Sequence, residues 1–153
     1  MQLSENFNLD EATFSETAVR LGINNQPSPE QLENMKITAQ GMETVRKLLG
    51  KPIRVNSWLR LPAVNQAIGG AAKSSHMDGW AIDFVCPSFG DPYAVAKALK
   101  ESDIEVDQVI HEFGRWVHVS FSPEKRGQFL TIFKPQNKYV SGILTAEEYA
   151  KTA

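Results

Sequence analysis

An aspartate within an apolar segment is the feature that most constrains how this chain can fold. Asp83 lies in Trp80–Val85, whose other residues are all apolar, so the segment is predicted to be a central strand. An unpaired carboxylate there would destabilise the protein by several kcal/mol. Its partner could be an arginine, loop amides or a metal ion. Because His76 stands seven residues earlier and Gly79 lets the chain fold back, we favour a metal ion.

A second histidine lies on a predicted strand further along the chain. Alternation in Trp116–Phe121 places the two valines on the core face and His118 on the opposite face. Together, His76, Asp83 and His118 match a zinc site with a fourth position open for water, the arrangement of a metallohydrolase. Zinc would lower the pKa of that water to about 7, so that it can attack a carbonyl carbon. Ferrous iron suits the same ligands, but the His-x-Asp or His-x-Glu spacing usual for it is absent.

A hydrolase of this kind also needs a base, and the strand before His118 offers two candidates. If the hairpin loop is the three residues 113–115, Glu112 faces Trp116 and shares the face of His118; a loop of two or four residues would place His111 there instead. We favour Glu112, because a carboxylate beside the water is the usual proton shuttle. His111 could alternatively be the fourth ligand of a purely structural zinc site.

Three further side chains are predicted to bind substrate. Arg60 follows the predicted strand 52–58, and a guanidinium near the metal could hold a substrate carboxylate through two hydrogen bonds. Ser74 ends a glycine-containing loop and could line the same cleft, or it could serve only as a loop cap. Trp116 is the aromatic neighbour on the His118 face. Without the metal, Arg60 would be interpreted as a surface or structural arginine.

The remaining pattern predicts an α+β domain. Helices are predicted over 8–22, from Ser28 to Gly50, over 62–68, after Asp91–Pro92 and after Thr145. Strands are predicted over 52–58, 80–85, 106–113 and 116–121, with an edge strand over 129–133. Because helices come first and strands follow with one helix among them, we expect a mostly antiparallel sheet. The whole chain, 1–153, is interpreted as one domain, with 134–153 as a C-terminal extension.

Composition and charge argue against several classes of function. The formal net charge is −2 and the chain has no long basic run, which argues against nucleic acid as a partner. The single cysteine, Cys86, excludes an internal disulfide framework and a cysteine-rich zinc finger. No segment approaches the about 20 apolar residues of a membrane span, and Met1–Phe7 lacks the pattern of a signal peptide. We therefore expect a soluble monomer that is synthesised in the cytoplasm without a signal peptide.

Two motifs resemble those of a known superfamily: Ser74-x-His76-x-x-Gly79-x-Ala81-x-Asp83 and Trp116-x-His118. They are similar to the zinc D-Ala-D-Ala carboxypeptidases, a superfamily that includes phage L-alanyl-D-glutamate endopeptidases and shares its fold with the Hedgehog signalling domain. The segment 57–65 resembles the Ser-Gly-Tyr-Arg-Ser-Pro-x-x-Asn pattern of the short, phage- and prophage-type branch. The resemblance covers roughly residues 3–122.

This resemblance implies both a fold and an activity. The implied fold is a small, mostly antiparallel sheet with helices packed on one side. The implied cofactor is one catalytic zinc ion bound by His76, Asp83 and His118, with Arg60 on the carboxylate of the substrate. The implied substrate is a peptidoglycan stem peptide that contains D-amino acids, so the protein is expected to act on the cell wall.

The sequence departs from the pattern of this superfamily at two places. Trp58-Leu59 replaces the common Gly-Tyr pair, which is expected to reshape the cleft wall near Arg60. Arg115 stands three residues before the last histidine, where many relatives have the catalytic acid, and it cannot act as a base. Glu112 resembles the acidic residue of the short branch. The leading interpretation is a zinc peptidase, and both departures leave an alternative open, a catalytically inactive, metal-containing module that binds cell wall or a virion component.

Overall fold

The computed structural model describes residues 1–152, and in this part of the chain six strands and six helices are numbered in chain order. The strands are β1 (Arg54–Ser57), β2 (Ala81–Val85), β3 (Gln108–Glu112), β4 (Trp116–Ser120), β5 (Gln128–Ile132) and β6 (Val140–Ser141). The helices are α1 (Leu9–Thr13), α2 (Glu16–Leu21), α3 (Pro29–Leu49), α4 (Pro62–Ala67), α5 (Pro92–Lys100) and α6 (Ala146–Ala150). The predicted α+β class is confirmed.

The strands form one sheet in the order β1-β2-β4-β3-β5-β6. Every neighbouring pair is antiparallel except β3 and β5, which run parallel, so the prediction of a mostly antiparallel sheet is also confirmed. The strand predicted over 129–133 is present as β5, but its predicted position at the edge of the sheet is wrong. β5 lies between β3 and β6, because the chain crosses back after β4 and adds β5 beside β3 rather than at a free edge.

The two faces of the sheet have different roles. One face packs against α3 and α5, and its alternate side chains are fully buried: Ile82, Phe84, Val109, Val117 and Val119. Because side chains alternate along a strand, the residues between these point to the opposite face. Asp83 on β2 and His118 on β4 are Cα partners on that opposite face. The core thus fixes the register that brings the two polar side chains together.

The long helix α3 forms from strong local signals. Ser28 caps it and forms a reciprocal capping box with Gln31, Pro29 occupies the first turn, and Gly50 ends the helix with a φ of 65°. The buried face of the helix carries Met35, Ala39, Met42, Val45 and Leu49. Within residues 1–152, neither α3 nor any other helix has the length and apolar character needed to cross a bilayer.

α3 also holds the segment that carries His76. This segment is a short 3₁₀ turn, Ser75–Asp78, which ends at Gly79 with a φ of 83°. Three side chains of α3 donate hydrogen bonds to successive carbonyl oxygens here: Gln31 to Met77 (3.0 Å), Asn34 to Asp78 (3.0 Å) and Thr38 to Gly79 (2.9 Å). The turn is therefore attached to a rigid helix, which fixes the backbone of His76.

Replacing Gly79 by alanine is expected to lower the free energy of unfolding by about 2–4 kcal/mol. The positive φ disfavours any side chain, and the new Cβ would lie 2.7 Å from Met35 Cγ and 3.2 Å from the Gln31 carbonyl oxygen. Gly50→Ala is the matched control, because its φ is 65° but nothing lies within 4 Å of the added atom. Urea denaturation measures both variants. Equal losses would mean that the contact with α3 contributes nothing.

Candidate metal centre

The three predicted metal ligands meet in one buried cluster. Asp83 Oδ1 lies 3.2 Å from His76 Nε2 and 3.0 Å from His118 Nδ1. One ligand atom from each of the three residues lies within 4.8 Å of the others, and all three residues are buried. Donor atoms around a tetrahedral zinc, at bond lengths near 2.0–2.2 Å, are separated by about 3.3 Å. The observed spacings match this value, so the residues fit a zinc ion.

The ring of His76 is oriented by the backbone behind it. Its Nδ1 donates a hydrogen bond of 2.7 Å to the carbonyl oxygen of Trp58. The other ring nitrogen, Nε2, therefore carries the lone pair and faces the cluster. The indole nitrogen of Trp58 in turn donates to the carbonyl of Gly79 (3.0 Å). Trp58 is fully buried and lies behind the three candidate metal ligands. The expectation that it reshapes the cleft wall is therefore wrong: its bulk fills the core and supports the His76 turn.

The electrostatics of the cluster favour the metal-binding forms of Asp83 and His76, but not that of His118. Burial opposes ionisation of Asp83, but the charges and hydrogen bonds of His76 and His118 hold the pKa of this carboxyl well below its usual range. Burial lowers the pKa of His76, which keeps its ring neutral. Burial acts in the same direction on His118, but the hydrogen bond to Asp83 and the negative charges of Asp83 and Glu112 together outweigh it and raise the pKa of His118, so that a bound cation would have to displace a proton from this ring. An ionised carboxylate and a neutral imidazole are the states in which these groups bind a cation.

Glu112 lies beside the cluster, as the three-residue hairpin loop requires. It is the Cα partner of Trp116, with residues 113–115 as the loop between them. Its Oε1 is 3.8 Å from His118 Nδ1, and its Oε2 accepts a hydrogen bond of 3.0 Å from Trp116 Nε1. Burial, followed by the negative charge of Asp83, raises the pKa of Glu112 to about 7. A carboxyl group with this pKa can exchange a proton near neutral pH.

His111 faces the other side of the sheet. It is the Cα partner of Val117, and its Nδ1 lies 2.9 Å from the carbonyl oxygen of Leu144, to which it donates. Its ring packs edge-on against Tyr93 and Phe133. Within residues 1–152, the cluster of possible metal ligands that includes His76 contains three residues, and His111 is not one of them. The structure therefore gives His111 neither the place of a base nor that of a fourth ligand.

Arg60 and Ser74 both lie against the cluster. The backbone N–H of Arg60 donates to the His76 carbonyl (3.0 Å), and its side-chain Nε is buried without a hydrogen-bond partner among the described residues. Burial lowers the pKa of the guanidinium, while Asp83 and Glu112 act in the opposite direction. Ser74 Oγ accepts a hydrogen bond of 3.2 Å from the N–H of His76, so the hydroxyl caps the turn and also lines the cleft.

The cluster lies in a cleft of about 560 Å³. Each predicted site residue lines it: Arg60, Ser74, His76, Asp83, Glu112, Trp116 and His118. The cleft also contains residues that the sequence analysis missed, in particular Gln108, Leu130 and Tyr139. Alternation within 128–132 places Leu130 on one face with Gln128 and Ile132, but no local pattern indicates that this strand pairs with β3. Tyr139 lies in the segment interpreted only as an extension.

An α+β fold with a buried His-Asp-His cluster at the base of an open cleft is the arrangement of a metallohydrolase with one metal ion. The family described as Peptidase M15 matches residues 5–120, and the chain belongs to this family, which places it in the zinc D-Ala-D-Ala carboxypeptidase-type superfamily. The superfamily indicated by the sequence motifs is thereby confirmed. Among curated proteins, no sequence matches the chain.

Proposed function

We propose that this protein hydrolyses peptide bonds in the stem peptides of bacterial peptidoglycan, as a D-Ala-D-Ala carboxypeptidase or an L-Ala-D-Glu-type endopeptidase. The observation that carries the proposal is the cluster of His76, Asp83 and His118, with Glu112 3.8 Å from its edge. Membership of the Peptidase M15 family supports peptide-bond hydrolysis. The unpartnered guanidinium nitrogen of Arg60 supports a substrate with a carboxylate.

In this proposal, three residues bind the metal ion, a fourth transfers the proton, and a fifth positions it. His76, Asp83 and His118 would hold a single zinc ion, which when bound would supply the Lewis acidity that activates water and polarises the scissile carbonyl. Glu112 accepts a proton from the attacking water and returns it to the departing amine. Trp116 donates to Oε2 of Glu112 and thereby leaves Oε1 directed towards the cluster.

Arg60 binds the carboxylate of the substrate. Burial lowers the pKa of Arg60, but a guanidinium is not deprotonated in proteins, so the group is a cation with a planar set of donors. Ser74 and Trp116 line the same cleft and limit where the peptide backbone can lie. A carboxylate held by Arg60 places the neighbouring peptide bond over the three metal ligands. Binding of the substrate therefore also orients the bond that is cleaved.

Arg60→Lys is expected to lower kcat/KM by about 10–100-fold, mainly through KM, because one charge remains while the paired hydrogen bonds to the carboxylate are lost. Arg54→Lys is the matched control, since Arg54 is exposed on β1 and does not line the cleft. Steady-state kinetics on a stem pentapeptide would separate the two variants. If Arg60→Lys behaves like the control, Arg60 does not hold the carboxylate.

Digestion of purified peptidoglycan tests the activity itself. The zinc-loaded protein is incubated with sacculi, and the soluble muropeptides are identified by mass spectrometry, with the chelator-treated protein as the control. A carboxypeptidase removes the terminal D-alanine, whereas an endopeptidase separates L-alanine from D-glutamate. An unchanged muropeptide profile with zinc present would contradict the proposal.

The second candidate is a metal-containing module that binds cell wall without cutting it. The observation that favours it is Arg115, which stands three residues before His118 where many relatives carry the catalytic acid. Such a module would sediment with peptidoglycan and leave it intact, whereas the peptidase would release fragments. A zymogram run beside a sedimentation assay distinguishes the two candidates.

A further inference from the structure

The C-terminal residues 121–152, which lie outside the matched family segment, build one side of the cleft. β5 adds to β3 in parallel, and β6 then pairs with β5 at the edge of the sheet. α6 closes this region through Tyr149, whose hydroxyl donates to the carbonyl of Lys138 (2.7 Å) and whose side chain is buried. The segment that leads into β6 is thereby fixed against the sheet.

Two of the candidate metal ligands and this C-terminal region lie at the same level of the sheet, in one row of paired residues across neighbouring strands. Successive strands place these Cα partners side by side: Asp83, His118, Ile110, Leu130 and Ser141. Arg60 follows β1 at one end of the row, and Tyr139 precedes β6 at the other end. With neighbouring strands about 4.8 Å apart, β6 lies about 14 Å from β4, which is the length of about four extended residues.

Tyr139 lines the cleft from this far side, and the residue is 55% exposed. Burial raises the pKa of its hydroxyl, and the negative charges of Glu112 and Asp83 raise it further, so the group is a hydrogen-bond donor at neutral pH. Leu130 lies on the strand beside β6 and adds an apolar surface to the same cleft.

A cationic side chain on this side of the cleft, that of Arg126, is already paired with a carboxylate of the protein. Arg126 lines the cleft, but its Nε and Nη2 donate to the two carboxylate oxygens of Asp107, at 2.9 and 2.8 Å. A second substrate carboxylate would have to compete with this bidentate pair. The far side of the cleft is therefore suited to an uncharged stretch of peptide, with an aromatic face, an aliphatic contact and a hydroxyl donor.

We propose that Tyr139, together with Leu130, binds the part of the peptide that lies across the scissile bond from the carboxylate held by Arg60. The ring packs on the peptide backbone and the hydroxyl donates to one of its carbonyl oxygens. This inference rests on the proposed function and adds a length requirement to it. The protein prefers peptides that extend several residues beyond the scissile bond over dipeptides.

Binding to a catalytically blocked protein tests the inference without relying on turnover. Zinc-loaded Glu112→Gln serves as the parent, and Tyr139→Ala is added to it. Calorimetric titration uses two probes, N-acetylmuramoyl pentapeptide and the dipeptide D-Ala-D-Ala. We expect Tyr139→Ala to raise the Kd of the muramoyl pentapeptide about tenfold and to leave that of the dipeptide within about twofold. Tyr139→Phe separates the contribution of the hydroxyl from that of the ring.

Phe14→Ala is the control for loss of an exposed aromatic side chain, because Phe14 is 60% exposed and does not line the cleft. An unchanged pentapeptide Kd in the Tyr139→Ala protein overturns the inference, and so does an equal loss for both probes, which would indicate a general disturbance. If the parent binds neither probe, the proposed function fails and this inference fails with it. A selective loss for the longer probe supports both.

Discussion

His76→Ala is expected to remove the bound zinc ion and to reduce peptide hydrolysis to background. The variant leaves only Asp83 and His118, and a two-residue site lacks the ligand number that zinc requires. The loss of affinity should exceed the about 10–100-fold cost of removing partners that merely orient the ligands. Metal analysis of the dialysed protein by mass spectrometry measures the zinc content, and muropeptide release measures the activity.

His111→Ala is the matched control for this experiment. His111 is also a buried histidine, but it faces the opposite side of the sheet and bonds to the Leu144 carbonyl. The control is expected to keep its zinc and its activity, while circular dichroism establishes that both variants remain folded. A His76→Ala protein that retains one zinc ion per chain would contradict the assignment.

Glu112→Gln is expected to keep the zinc ion but to lower kcat by about 10²–10⁴-fold, because an amide of the same shape cannot accept the proton of the attacking water. The hydrogen bond from Trp116 to Oε2 can be retained by the glutamine, so the local structure is preserved. Metal content and kinetics on the same preparation separate the two effects.

The matched control for the base is Glu105→Gln, since the side chain of Glu105 is 67% exposed and pairs with Lys125 outside the cleft. It should have the kinetics of the unmodified protein. A Glu112→Gln protein with full activity would mean that another group moves the proton. His111 could not replace it without a change in the sheet, because its side chain points into the opposite layer.

Elements with local signals were predictable from the sequence. The cap at Ser28, the proline in the first turn and the glycine at position 50 delimit α3, because each acts on backbone groups only a few residues away. The same holds for the hairpin, where the three-residue loop between Glu112 and Trp116 decides which side chains share a face with His118. Asp83 could be chosen as a candidate ligand because a carboxylate in an apolar strand is destabilising unless a positive charge or hydrogen bonds offset its burial.

Features that depend on distant pairing could not be predicted. Nothing within residues 128–132 indicates that this strand lies parallel to β3 rather than at an edge, because that pairing is decided by contacts between segments far apart in the chain. Tyr139 enters the cleft only as a result of this topology. Trp58 was misjudged for a related reason: its neighbours in the sequence suggest a cleft wall, whereas its indole is enclosed beneath the turn of residues 75–79.

The central claim is that two imidazoles and one carboxylate bind a single cation and leave one position for water. Crystallography of the zinc-loaded protein, with anomalous data collected at the zinc absorption edge, tests it most directly. We expect one anomalous peak within about 2.0–2.2 Å of a nitrogen of His76, a nitrogen of His118 and an oxygen of Asp83, with a water as the fourth ligand. A peak elsewhere in the molecule, or a fourth protein ligand that closes the coordination shell, would contradict it.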